Sequence, residues 1–211
     1  MIRITTYLFF LSATLMVLLI SCAEQKDDTD YIALFKKYHE AENDYSETKW
    51  DYLSDTLKVW YTKNDPKPDL KYKGQPSDGW DEWDMAMKTI SYYDTIWYDA
   101  ELHAIQGYFN ENNDFYVLLG ASPNVTLRTY TYNDAGKITD LRYEKVNAEN
   151  TLSKAHMDPV YQWALINEPA EIAAIFPENK LVPSADNAMR WKQLIIRYRT
   201  RNETRNNPTV E

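Results

Sequence analysis

Between Thr95 and Val146 the chain alternates β-forming runs with short polar breaks, and no other feature restricts its fold as much. The runs are Thr95 to Ile105, Phe115 to Ala121, Val125 to Tyr132 and Lys137 to Val146. The breaks are Asn110-Glu111-Asn112-Asn113-Asp114, Ser122-Pro123-Asn124 and Asn133-Asp134-Ala135-Gly136. Asn, Asp and Gly accept the positive φ angles of a tight turn, so the last break predicts a hairpin and the whole stretch predicts antiparallel strands. Such a sheet must bury one face, and the residues able to cover it lie upstream.

Tyr31, Leu34, Phe35 and Tyr38 recur at helical spacing behind Asp30 as a cap, predicting a helix that ends near Asn43-Asp44. A second short helix follows over Ser46 to Leu53, and Leu57 to Thr62 reads as a strand. Asn64-Asp65-Pro66-Lys67-Pro68 stops that strand, because proline donates nothing to a ladder and restricts the residue before it. From Gly79 to Ile90 the residues Trp80, Trp83, Met87 and Ile90 form one helical stripe, capped by Ser77 or Asp78. Helix, helix, strand, helix and then four strands make an α+β fold with helices on one sheet face.

Residues 147–211 continue in helical periodicity. Asp158-Pro159 starts one helix, with Val160, Trp163, Ala164 and Ile166 on its apolar face. Ile172, Ile175 and Phe176 mark another turn or two, stopped by Pro177. Ser184 caps a last helix striped with Ala188, Trp191, Leu194, Ile195 and Tyr198. Some 40 ordered residues rarely sustain a core alone, so this segment is expected to pack on the sheet domain as an extension. Arg197, Arg199, Arg201 and Arg205 are expected as its frayed, solvated end.

The amino terminus has a different character. Met1-Ile2-Arg3 is a short basic start, Tyr7 to Ile20 is almost unbroken apolar sequence, and small Ser21 precedes Cys22, the sole cysteine. The apolar run is shorter than the roughly 20 residues needed to cross a bilayer. It resembles a bacterial lipoprotein signal, which implies removal of residues 1–21 and acylation of Cys22. Several acyl chains, at about 0.8 kcal/mol for each buried CH₂, would hold the chain on a lipid bilayer. Residues 22–29 then form a polar tether, in which Lys26-Asp27-Asp28 resembles the surface-export tag of Bacteroidetes-type lipoproteins. The expected location is the cell envelope, as an outer-membrane lipoprotein.

Loss of the leader removes Arg3 and no acid, leaving 22 basic side chains against 32 acidic ones. Nucleic acid is not an expected partner, because phosphate binding needs clustered Lys and Arg. With Cys22 lipidated there is no thiol for a disulfide, a nucleophile or a metal. The 17 Tyr and 7 Trp against 5 Gly predict a packed, aromatic-lined interior.

Leu53-Ser54-Asp55 leading into a strand, Tyr72-Lys73-Gly74 leading into a helix, and Tyr130-Thr131-Tyr132-Asn133-Asp134-Ala135-Gly136-Lys137-Ile138 are similar to the signposts of nuclear transport factor 2-like proteins. That group contains the SnoaL-like cyclases and the ketosteroid isomerases. The resemblance spans residues 30–146 and implies a cone: a curved sheet wrapped on helices, with an apolar pocket at its open end. It also implies pairing into a homodimer through the sheet face.

Ketosteroid isomerases use a tyrosine on the first helix, an aspartate base after the first strand and a neutral aspartic acid before the Gly-containing hairpin. Tyr38 falls within about one residue of the tyrosine position, and Asp65 reaches the base position only with an insertion of about three residues, since Tyr61 or Thr62 falls there by counting. Arg128 occupies the place of the neutral acid, which an always-charged guanidinium cannot replace. His39, His103 and His156 are isolated, and no calcium loop, phosphate loop or dinucleotide fingerprint occurs, so neither metal nor cofactor is expected. Asp78, Asp81, Glu82 and Asp84 read as capping and helix-dipole residues.

Arg128 shares a strand face with Tyr130 and Tyr132, and a guanidinium turned inward needs an internal carboxylate or an anionic ligand. The expected function is a non-catalytic, membrane-anchored binder of a small amphipathic or anionic molecule or of a partner protein, with Arg128, Tyr130, Tyr61, Trp83 and Tyr38 lining the site. Two alternatives stand beside it. One is a cyclase, isomerase or hydrolase with Asp65 or His103 as base and Tyr38 as donor. The other is a docking subunit of an envelope complex.

Overall fold

The computed structural model describes residues 28–76, 78–146 and 152–206. The expected leader, Cys22 and nearly all of the tether lie outside the described residues, as does Ser77. Helix α1 spans Asp28–Asn43, so Asp30 sits within it and is not its cap. A single 3₁₀ turn follows over Glu47–Asp51, where the Ser46 hydroxyl accepts from the Thr48 amide at 3.2 Å. Because that turn is brief, strand β1 begins at Leu53 and runs to Trp60, four residues earlier than the sequence pattern suggests.

Strand β2 (Asp69–Tyr72) and helix α2 (Trp80–Met87) come next. Ile90, expected as the end of that helix, opens strand β3 (Ile90–Asp99), which pairs with β4 (Ala104–Asn112). The expected strand Thr95 to Ile105 is therefore half of one strand, a turn and the start of the next. The turn contains neither Gly nor Pro; the Asp99 side chain closes it, accepting from the amides of Glu101 and Leu102 at 3.0 Å each. Phe115 to Ala121 is likewise no strand. It belongs to helix α3 (Asp114–Leu119), capped by the Asn113 side chain through the amides of Phe115 and Tyr116 and stopped by Gly120 at φ 63.

Strands β5 (Asn124–Tyr132) and β6 (Ile138–Lys145) form the predicted hairpin. The sheet order is β2-β1-β6-β5-β4-β3, and β1 runs parallel to β6, so the sheet is mixed, not purely antiparallel. Register shifts between Tyr93 and Thr95, Leu53 and Lys58, and Thr131 and Tyr132 bend it. α1 lies in the resulting hollow, where Tyr31, Phe35 and Tyr38 pack on Leu57, Val59, Ile105, Phe109, Tyr130, Ile138 and Leu141. This is the expected α+β arrangement of a curved sheet wrapped on helices, with a C-terminal helical part beside it.

Gly107 marks where the β3 bulge presses on β4. A Cβ there would meet both the Thr95 carbonyl oxygen and the Ile96 side chain at 2.7 Å. Gly107→Ala is therefore expected to cost about 1–3 kcal/mol, read as a lower urea midpoint at unchanged slope.

After the π-helical turn Leu152–Met157 come α4 (Asp158–Asn167), α5 (Pro169–Ile175), a 3₁₀ turn and α6 (Ala185–Asn206). Val160, Ala164, Ile172, Ile175, Ala188, Trp191, Leu194 and Ile195 form a second core that also takes in Trp83 and Met87 of α2 and Phe115 of α3. The last helix does not fray before Asn206: Arg197 pairs with Glu168 at 3.2 Å, Arg199 donates to the Leu118 carbonyl at 2.6 Å, and Arg201 donates to Asn167.

Candidate functional site

Strand alternation turns Arg128, Tyr130 and Tyr132 to the inner face, where each is 4% exposed or less. Tyr38 is also buried, with its ring 5.8 Å from that of Tyr130, and Phe35 and Phe109 lie 4.8 and 5.7 Å from Tyr130. These rings occupy the hollow beneath Arg128. The guanidinium lies 4.9 Å from the Phe109 centroid and 5.0 Å from that of Tyr143. Its Nη2 donates to Glu111 Oε2 at 3.2 Å and its Nε to Thr126 Oγ1 at 3.1 Å. The carboxylate that an inward arginine requires is thus supplied by β4 of the same chain. Burial alone would lower the Arg128 pKa, but Tyr130, Tyr143, Glu111 and Glu42 outweigh it and the group stays charged.

Several polar atoms around Arg128 are less well served. Tyr38 hydrogen-bonds Glu42, yet Glu42 Oε2 is buried without a partner among the described residues. The Tyr130 hydroxyl accepts from Arg128, while His39 Nδ1 and Ser91 Oγ are buried with no partner among the described residues. Asn43 joins α1 to β3, donating to the Ser91 carbonyl at 2.7 Å and accepting from the Ser91 amide at 2.9 Å. Three buried polar atoms short of partners are unusual, and each costs about 1–3 kcal/mol.

Towards the end of α1, Tyr45 donates to the Thr89 carbonyl, and the Thr89 hydroxyl donates to Asp84 Oδ1 at 3.0 Å. Burial, Glu111, Asp81 and Glu42 together push the Asp84 carboxyl up to about 6, against the pull of Thr89. Burial and Glu111 raise Tyr116 to about 12. Glu111 therefore acts on Tyr45, Asp84 and Tyr116, and Glu42 acts on Asp84.

The structure places the other expected residues apart. Tyr61 is 51% exposed and stacks on Tyr143 at 6.0 Å, so it touches the Arg128 group only through that ring. Trp83 is buried in the second core against Phe115. Asp65 is partly exposed, holding the Thr62 amide and hydroxyl in the β1–β2 turn. His103 Nε2 pairs with the Tyr31 hydroxyl at 2.8 Å, two helical turns along α1 from Tyr38. Neither base of the enzymatic alternative meets Tyr38. Among the described residues no group of three or more His, Cys, Asp or Glu side chains is placed to hold a metal ion.

Glu42, Asp84, Glu111, His39 and Tyr143 were not singled out as site residues from sequence. A signal existed for two of them: Glu42 continues the Tyr31, Phe35, Tyr38 stripe, and Asp84 lies between Trp83 and Met87 on the buried face of α2.

His39 gives a pH prediction. Burial first, then Arg128, lowers its pKa to about 4, and it is only 7% exposed. The unfolded chain binds the proton near pH 6.5 and the native one near 4, so stability falls as pH drops through that window, by about 3 kcal/mol. Asp84, raised in the native state, acts in the opposite sense between its ordinary carboxylate range and 6. His39→Gln should abolish the His39 contribution, so that the variant gains on the parent as the pH falls from 6.5 to 4 in urea titrations.

Solved structures similar to this chain include a protein of unknown function with a cystatin-like fold from Methylobium petroleophilum, 11% identical with TM-score 0.47 over 59% of this chain and 81% of the other. A steroid delta-isomerase from Pseudomonas aeruginosa is 10% identical, with TM-score 0.44 over 66% of this chain and 98% of its own. Rv0760c from Mycobacterium tuberculosis, in complex with estradiol-17β-hemisuccinate, is 13% identical, with TM-score 0.42 over 57% and 95%. Such likenesses transfer no residue role. No family model and no curated protein matches the sequence.

Proposed function

We propose that this chain is an envelope lipoprotein, anchored through acylated Cys22, whose cone binds a small amphipathic, ring-bearing molecule without transforming it. One observation carries the binding reading: beside a buried guanidinium held between two rings, Glu42 Oε2, His39 Nδ1 and Ser91 Oγ are buried with no partner among the described residues. A bound molecule with hydrogen-bonding groups would supply those partners. Asp65 and His103, the bases of the catalytic alternative, are bonded elsewhere, to Thr62 and to Tyr31.

Saturation-transfer NMR with 2-phenylethanol on the full chain in nanodiscs tests this, with empty nanodiscs as reference. Saturable transfer that fails in Arg128→Met supports the reading, and equal transfer in both proteins refutes it. The anchor is tested separately. Cys22→Ser should move the chain from the membrane pellet to the soluble fraction or leave it unprocessed, and a processed variant that still sediments with membranes would contradict lipidation.

A second reading, docking through the outer sheet face to a second copy, is favoured by Tyr92 and Tyr108, 44% and 43% exposed there, with Trp97 packed 5.9 Å from the Tyr108 ring. Light scattering should then give a dimer that Tyr108→Glu converts to a monomer.

A further inference from the structure

We infer that the pole of the cone where α1 begins, tipped by Leu102 in the β3–β4 turn, rests against the lipid surface, with the C-terminal helices directed away from it. This rests on the anchoring through Cys22 proposed above and adds the face that meets the bilayer. Six peptide links separate Cys22 from Asp28, the first residue of α1. At roughly 3.5 Å each they span about 20 Å at full stretch, so the start of α1 is held within that distance of the bilayer. Side-chain contacts fix what surrounds it. The Tyr31 ring lies 5.1 Å from Tyr98, 4.9 Å from His103 and 5.0 Å from Tyr132, and its hydroxyl pairs with His103 Nε2 at 2.8 Å. One turn further along α1, Leu34 Cδ1 is 3.3 Å from where a Cβ on Gly136 of the β5–β6 hairpin would lie. The β3–β4 turn and the hairpin therefore flank the tethered end, and the Tyr132 amide joins them by donating to the His103 carbonyl at 3.0 Å.

Leu102 is 53% exposed in that turn, and its amide is held by the Asp99 carboxylate at 3.0 Å, so a braced loop presents an apolar side chain. Glu101 and Asp134 are exposed at the same pole, and acids are repelled by the negative potential of anionic lipid, so the surface that fits is a zwitterionic one. The opposite pole is out of reach. The far end of α1 is tied to the segment just after α2, by Tyr45 to the Thr89 carbonyl and by Asn43 to Ser91, and α2 packs on the C-terminal helices. α1 has 16 residues and is about 24 Å long. Standing the molecule on its C-terminal helices would lift Asp28 by at least that length, beyond the roughly 20 Å that six links allow. Ile166 and Val117, 82% and 65% exposed, belong to this distal part and face away from the bilayer, although exposure alone would choose them for lipid contact.

Two single-site labels test the orientation, since with Cys22 acylated the chain has no other thiol. Leu102→Cys and Ile166→Cys, both at exposed positions outside the cores, are each labelled with the fluorophore NBD in the full acylated chain on phosphatidylcholine nanodiscs, with and without doxyl-labelled phosphatidylcholine as quencher. Quenching at position 102 is expected to exceed that at position 166 several-fold. Both sites carry the same label, so its own affinity for lipid cancels in the comparison. Equal quenching at the two positions, none at either, or stronger quenching at 166 overturns the orientation. The anchor is read independently, from the mass of the acylated chain and its co-elution with the nanodisc, and stands in each of those cases. A chain found without acyl groups overturns both.

Discussion

Phe35→Ala is expected to cost about 4 kcal/mol, the largest loss from any single truncation in the cone. The ring has 0% exposure and touches four other rings of the interior besides His39, at centroid distances of 4.8 Å to Tyr130, 5.9 Å to Phe109, 6.0 Å to Tyr93 and 6.3 Å to Tyr38. It also stacks on His39 at 5.6 Å. Removing it opens a void between α1 and the sheet that the Tyr130 and Phe109 rings cannot close, since both are anchored on strands hydrogen-bonded on both sides. Urea denaturation followed by tryptophan fluorescence measures the loss. A loss under about 1.5 kcal/mol would mean that α1 does not fill the hollow of the sheet, because a truncation of this kind in a packed core costs more.

The second large effect is electrostatic. Arg128→Met should destabilise the chain by about 3 kcal/mol, because Glu111 and Glu42 lose the cation between them while remaining partly out of water. The methionine fills much of the volume between Phe109 and Tyr143, so the deficit comes from charge and not from packing. Arg128→Met combined with Glu111→Gln should therefore recover a substantial part of it. A double variant as unstable as the sum of its parts would show that the two groups do not interact, and that the 3.2 Å pair is of no energetic consequence.

The elements with strong local signals were legible in the sequence. The Asn133–Gly136 hairpin, the stripe of α1, the apolar face of α2 and the long striped α6 all occur close to where periodicity placed them. The errors have specific causes. Phe115 to Ala121 is rich in β-forming side chains, but Asn113 and Gly120 cap it as a helix, and caps at both ends outweigh a short run of propensity. The β3–β4 turn was invisible because Asp99 makes it with a side chain and His103 adopts φ 49 without a glycine. Parallel pairing of β1 with β6 is a long-range choice that no local pattern encodes.

For the site, strand alternation correctly turned Arg128 and Tyr130 inward, and the need for a partner carboxylate followed from burial alone. Which acid would supply it was not legible. Glu111 sits in a stretch whose Asn and Asp residues read as a loop, yet β4 runs on to Asn112 and pairs Glu111 with Asn124, which brings its carboxylate to 3.2 Å from the Arg128 guanidinium. Trp83 failed as a site residue for a related reason: its apolar stripe faces the C-terminal helices, whose position relative to α2 is fixed by packing and not by spacing.

The measurement that bears most directly on the account is a set of amide ¹H–¹⁵N spectra of the full chain in nanodiscs during titration with 2-phenylethanol. The account predicts saturable shifts centred on Ser91, Glu111, Thr126, Arg128 and Tyr143, the strand positions around the guanidinium. Shifts confined to the outer sheet face around Trp97 and Tyr108, or none at saturating concentration, would contradict it.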